Sequence, residues 1–150
     1  MTDVLFNAER SLENVVEARL AIEPYIAAIA SERHSDEGME ALRDSIEASD
    51  EAAHSGGAAR RPGFHSCIAE MSGNSVLAGI VRSLLTGPRG MPRLAAVDPE
   101  QLHVWQRDHA NIHEAVGDRD AKAAQRLMTN HLAAVLRTAI LAEDAKIEAS

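Results

Sequence analysis

Apolar positions recur at intervals of three and four residues almost throughout the chain, and no stretch shows the period-two alternation, rich in Val, Ile and Thr, that marks a strand. The pattern predicts an all-α fold. A first helix is expected over about residues 9 to 31, its stripe running through Leu12, Val15, Val16, Leu20, Ile22, Ile26 and Ile29. Pro24 interrupts that stripe, and its missing N–H and crowded ring predict a kink near Glu23. A second helix, about 36 to 53, opens after Ser35 with Asp36 and Glu37 in the turn where the helix dipole favours acids, and repeats Met39, Leu42 and Ile46. Phe64, Cys67, Ile68 and Met71 form a short third stripe that stops at "SGN". Asn74 is placed to cap a fourth helix carrying Leu77, Ile80, Val81, Leu84 and Leu85.

The fifth helix has the clearest start. In "DPEQ" Asp98 can cap, Pro99 suits the first helical position and Gln101 stands three residues after the cap. It is expected over about 99 to 116, with Leu102, Trp105, His109, Ile112 and Val116 on one stripe and Gly117 ending it. Asp118 or Asp120 caps the sixth, about 120 to 143, whose stripe is Ala124, Leu127, Met128, His131, Val135 and Thr138. Two glycine- and proline-bearing stretches, "HSGGAARRPG" at 54 to 63 and "TGPRGMPRLAAV" at 86 to 97, read as loops, the second expected to be the more mobile. About six helices with short connections make an antiparallel bundle, read as one domain over 1 to 150 with its core at about 9 to 143.

Composition narrows the chemistry. The chain has 150 residues, 45% of them hydrophobic, enough for one buried core. With 15 Lys and Arg against 23 Asp and Glu the formal net charge is −8, which excludes nucleic acid as the main partner of this surface. The N-terminal "MTDVLFNAER" has no long apolar run, so neither a signal peptide nor a membrane span is expected there, and the cytoplasm is the default location. Cys67 is the only cysteine. A disulfide framework and a CxxC site are thereby excluded, and any metal must be held by His and carboxylate.

His109 and His131 stand where the periodicity calls for an apolar residue. A buried imidazole left unpaired costs about 1–3 kcal/mol, so each needs a hydrogen-bond partner or a metal. Periodicity alone admits both readings. His113 follows His109 by one turn, and an HxxxH pair can present two nitrogens to one ion, but without the Glu of HExxH the pattern is weak. His65 flanks the third stripe, so His65, His109 and His131 could converge from three helices, as bundle metal sites do. His34, His54 and His103 lie in or beside polar segments and are expected at the surface.

The runs "VVEARLAIEPYIAAIA", "FHSCIAEMSGNSVL" and "DHANIHEAVGDRDAKAAQRLMTNHL", in that order, resemble the FCD domain, the effector-binding domain of the FadR subfamily of GntR-type transcription regulators. The resemblance covers about residues 9 to 143. It implies an antiparallel helical bundle, often dimeric, that holds a small-molecule effector in its interior and commonly zinc or nickel through one Asp and three His. Carried across, the three histidines fall on His65, His109 and His131. The family's Asp, one turn before the first His, falls on Arg61 in "RRPGFH". Three outcomes stay open: a three-His site completed by water or an effector carboxylate, a fourth ligand from Asp44, Asp50 or His113, or loss of the metal with Arg61 binding an anionic effector through its planar fork of donors.

The effector-facing candidates are Arg19, Arg61, Trp105 and His113. Arg19 matches an Arg of the family's first helix; its alternative is a surface ion pair with Glu23, four residues on. Trp105 is either core or pocket wall. The function implied is an effector-sensing and dimerisation domain for a small carboxylate, forming a homodimer, with DNA reached only through a winged-helix domain not found in this chain. It is not expected to be an enzyme, since no Glu or Asp stands one turn from a candidate ligand so as to nominate a general base. A three-His metalloenzyme and a metal-free helical interaction module are the rival readings.

Overall fold

The computed structural model describes residues 12–55, 63–86 and 97–148, and among these every regular element is a helix. In chain order they are α1 (Leu12–Arg33), α2 (Asp36–Ser55), α3 (Phe64–Met71), α4 (Ser75–Leu85), α5 (Pro99–Gly117) and α6 (Ala121–Glu148). The expected start at residue 9 and nearly all of both loops, Arg61 included, lie outside the described residues. α2 and α6 run a few residues further than their apolar stripes suggest, since a helix end needs only backbone bonds and not a buried side chain.

The helix starts follow local chemistry. Ser35 Oγ accepts from Gly38 N at 3.1 Å, Asn74 Oδ1 accepts from Val76 N and Leu77 N at 3.1 Å, Asp98 Oδ1 accepts from Glu100 N at 2.9 Å, and Asp120 Oδ1 accepts from Ala123 N at 2.9 Å. Each hydroxyl or carbonyl-type oxygen satisfies amides of a first turn that have no intrahelical partner. Asp120, then, and not Asp118, caps α6. At the other end of that connection the sequence pointed to Gly117 as the residue that ends α5. The helix does end at Gly117, which is its last helical residue, but the left-handed backbone conformation falls on Arg119, at φ 58°. That conformation costs a non-glycine residue about 1–2 kcal/mol. Two hydrogen bonds from the Arg119 guanidinium, to Glu32 O at 3.0 Å and His34 O at 3.4 Å, offset it.

α1 is the central element. It packs most extensively on α6 and also touches α3, α4 and α5, while α2 lies over α3 and α5. Arg119, just before α6, reaches the C-terminal end of α1, while Val16 near the start of α1 shares a cluster with Val135 far along α6. The two helices therefore run antiparallel. α1 continues unbroken through Pro24, which is buried.

The core has two parts. The larger is built on Ile26, Ala30, Leu42, Ile68, Val81, Ile112, Val116, Met128 and Leu132; the smaller is Val16, Trp105 and Val135 with Leu12, Leu102 and Leu136 packed against it. Between the two, α1 carries Arg19 and Glu23, α5 carries Asp108 and His109, and α6 carries His131. The polar groups form a layer across the bundle, flanked by apolar packing on both sides.

Candidate metal centre

The layer draws its side chains from four helices. α3 begins at Phe64, and His65, in its first turn, is 6% exposed. α5 supplies the partly buried His109, and α6 the buried His131. The rings are in mutual contact: His65 and His131 stack at 5.3 Å between centroids, His65 and His109 meet edge-on at 5.2 Å, and His109 and His131 at 4.7 Å. Phe64 lies flat on His109 at 4.0 Å, and Trp105 meets His131 edge-on at 6.5 Å. One nitrogen from each of His65, His109 and His131 lies within 4.8 Å of the other two.

Two carboxylates stand behind this cluster. Glu23 Oε2 lies 2.5 Å from His65 Nδ1, and Asp108 Oδ2 lies 3.2 Å from His131 Nδ1. A carboxylate only accepts, so each of these Nδ1 atoms carries the hydrogen and the Nε2 of a neutral ring keeps its lone pair. His109 Nε2 faces His131 Nε2 at 3.2 Å. With the His131 side of that contact an acceptor, His109 donates. Glu23 is itself held on its other oxygen by Arg19 Nε, at 2.6 Å, and the pair is sealed inside, Arg19 1% and Glu23 2% exposed.

The charges follow from this geometry. Burial opposes ionisation of Glu23, but the positive charges of His65 and Arg19 and the hydrogen bonds from both hold its carboxyl at about 2, below the usual 4.5. Burial pushes the His65 ring down from 6.5 to about 4, with Arg19 and His131 adding to the fall and Glu23 resisting it. Burial likewise drives His109 well below the ordinary value, helped by the positive charge of His65, His131 and Arg19. At neutral pH the layer thus holds an ionised Glu23, paired with Arg19, and neutral imidazoles at 65 and 109.

Neutral imidazole is the form that binds a metal. Ligands at about 2.0–2.1 Å around a tetrahedral zinc ion stand roughly 3.3 Å apart. The 3.2 Å between the Nε2 atoms of His109 and His131 already meets that spacing, and all three nitrogens lie within 4.8 Å of one another; to bind an ion, His109 would carry its hydrogen on Nδ1 instead of Nε2. The three nitrogens are therefore close enough to hold one metal ion together.

The remaining candidates fall at different places. Arg19 is both interior and paired with Glu23, so the sequence alternatives of buried side chain and ion pair hold together, and only the surface location of that pair is wrong. Trp105 is 6% exposed, and its indole N–H finds no partner among the described residues. His113 is half-buried and outside the three-nitrogen cluster, as are Asp44 and Asp50. Arg61 lies outside the described residues. His103 is exposed as expected, whereas both ring nitrogens of His34 are buried. Sequence reasoning missed Glu23 and Asp108. The signal for Glu23 was a charged residue inside an apolar stripe beside Arg19, and Asp108 gave none beyond its place next to His109.

A family model for the FCD domain matches residues 14–134. The chain is 31% identical over 132 residues to the uncharacterized HTH-type transcriptional regulator YcbG of Bacillus subtilis (strain 168), covering 83% of this chain and 53% of that protein. Its fold is similar to that of a solved GntR structure from Streptococcus agalactiae, with a TM-score of 0.68 at 22% identity, over 90% of this chain and 62% of the other. The chain thus spans about half the length of the curated relative that it matches.

Proposed function

Because the chain belongs to the FCD domain family, whose members are regulatory domains of transcription regulators, we propose that it senses a small anionic effector, in the first place a carboxylate, at a divalent metal held by His65, His109 and His131. The observation that carries this reading is the buried cluster of three imidazoles, two of them neutral and two backed by carboxylates, in a layer where packing alone would place apolar side chains. Zinc, or nickel in its place, would supply a concentrated positive charge with a free position for an anionic oxygen.

The chain's own residues would do the rest. His65, His109 and His131 bind the ion with neutral rings, so no proton need be expelled from His65 or His109 at neutral pH. Trp105, edge-on to His131, offers an indole N–H without a partner among the described residues, a donor suited to an effector oxygen. Arg19 keeps the layer close to neutral by offsetting Glu23, and Arg61 and His113 stand as further effector-facing candidates by sequence. The ligands come from α3, α5 and α6 and their support from α1, so an effector that prefers one arrangement of these helices by a few kcal/mol would shift what a partner domain senses. The regulator would act as a homodimer in the cytoplasm and reach DNA through a winged-helix domain. No described helix is long and apolar enough to cross a membrane.

The test is a thermal-shift titration of chelator-stripped protein with a panel of small carboxylates, with and without zinc. Zinc alone is expected to stabilise the wild type, by about 2.7 kcal/mol at a hundredfold excess over Kd. A carboxylate should then add a shift only in the zinc-loaded protein, and neither shift should survive His109→Ala. Silence across the panel would leave a metal-free interaction module as the better reading.

A further inference from the structure

Metal sites work through the groups behind the ligands as well as through the ligands themselves. Here each of two histidines has its far nitrogen engaged by a carboxylate from a different helix: His65 by Glu23 of α1 and His131 by Asp108 of α5. Among the described residues His109 has no such carboxylate partner, and its ring lies against Phe64. We propose that Glu23 and Asp108 are positioning residues that lock His65 and His131 in the tautomer presenting Nε2 to the metal, and so set its affinity. The inference rests on the metal reading above.

A neutral imidazole free to choose divides itself between two tautomers, and only one leaves Nε2 with a lone pair. A carboxylate at Nδ1 removes that choice, because it accepts a hydrogen and cannot donate one. It also places negative charge against the ring, which makes the opposite nitrogen a better donor to a cation. Neither carboxylate is itself in the cluster of three nitrogens, so their part is exerted through the rings. Their burial divides the work: Glu23 is 2% exposed and tied to Arg19, whereas the Asp108 side chain is 30% exposed and can be changed without stranding a buried charge.

The experiment pairs zinc affinity, measured by competition with a chromophoric chelator, with 15N-detected imidazole NMR of the metal-free protein. In the wild type, His65 and His131 should each show a single tautomer with the hydrogen on Nδ1. In Asp108→Ala the His131 signals should move to a mixture of both tautomers, and zinc affinity should fall about 10–100-fold, the usual effect of removing such a partner. Glu23→Gln should lower zinc affinity on the same scale. Glu70→Gln, which removes only an exposed ion pair with Arg82, should leave affinity unchanged. Unfolding curves of each variant establish that the fold is kept, and Asp108→Ala decides the matter if Glu23→Gln does not fold. Wild-type zinc binding that persists in Asp108→Ala, or a wild-type His131 already mixed between tautomers, overturns the positioning role while the metal site stands. Absence of zinc binding by the wild type overturns both.

Discussion

Arg19, Glu23 and His65 show how a few buried polar groups can be retained inside an apolar bundle. The Arg19–Glu23 contact is spaced one helical turn along α1, so its geometry is local, but its weight comes from burial, since no water screens it. Removing one member should strand the other. Arg19→Met is expected to cost about 3–5 kcal/mol in urea denaturation, the range for breaking a buried pair. The double variant Arg19→Met with Glu23→Gln should lose less than the single one, because no uncompensated carboxylate remains. A double variant no more stable than Arg19→Met would show that the cost lies in packing and not in the stranded charge. The pairing of these two residues is legible from spacing; that His65 joins them is not, because it comes from another helix 42 residues away.

Helix boundaries are set by short-range chemistry, and most of them can be read directly. The stop at "SGN" and the start at Asn74 belong to one connection between α3 and α4, with Gly73 at φ 68° turning the chain and Asn74 capping α4. Asn74→Ala leaves two first-turn amides to solvent and should lower stability by about 1 kcal/mol, read from the shift in denaturation midpoint at constant slope. A change below about 0.3 kcal/mol would mean that water replaces the cap at no cost. At the α5–α6 connection the same logic fails in detail. Glycine is the residue of least strain at a left-handed position, yet Arg119 takes it, because its guanidinium reaches the end of α1. Local preference there yields to a contact 87 residues distant.

At the scale of the whole molecule, the polar layer makes global stability depend on pH. In the metal-free protein His65 and His109 are neutral when folded, whereas in the unfolded chain they take up protons below about pH 6.5. The unfolded state then binds more protons, so stability falls as the pH is lowered from about 6.5 toward 4. For His65 alone, a drop from 6.5 to about 4 corresponds to about 3 kcal/mol at roughly 1.4 kcal/mol per pH unit. The Glu23 carboxylate acts in a lower window: its contribution is present above about 4.5 and lost only as the pH approaches about 2. Urea denaturation of chelator-stripped protein at pH 7, 6 and 5 should show the decline, and a flat or rising stability over that interval would contradict neutral buried rings.

The all-α class and, among the described residues, the number of helices, their order and most of their caps follow from the sequence alone, because each depends on residues within a turn or two of one another. The same local reading marks His109 and His131 as residues out of place on apolar stripes, and the family resemblance adds His65. Tertiary structure alone decides that the three rings meet, that they do so in a layer between two apolar clusters, and that Glu23 and Asp108 stand behind two of them. Those facts depend on how α1, α3, α5 and α6 rotate and pack against one another, and no single helix carries that information in its own periodicity.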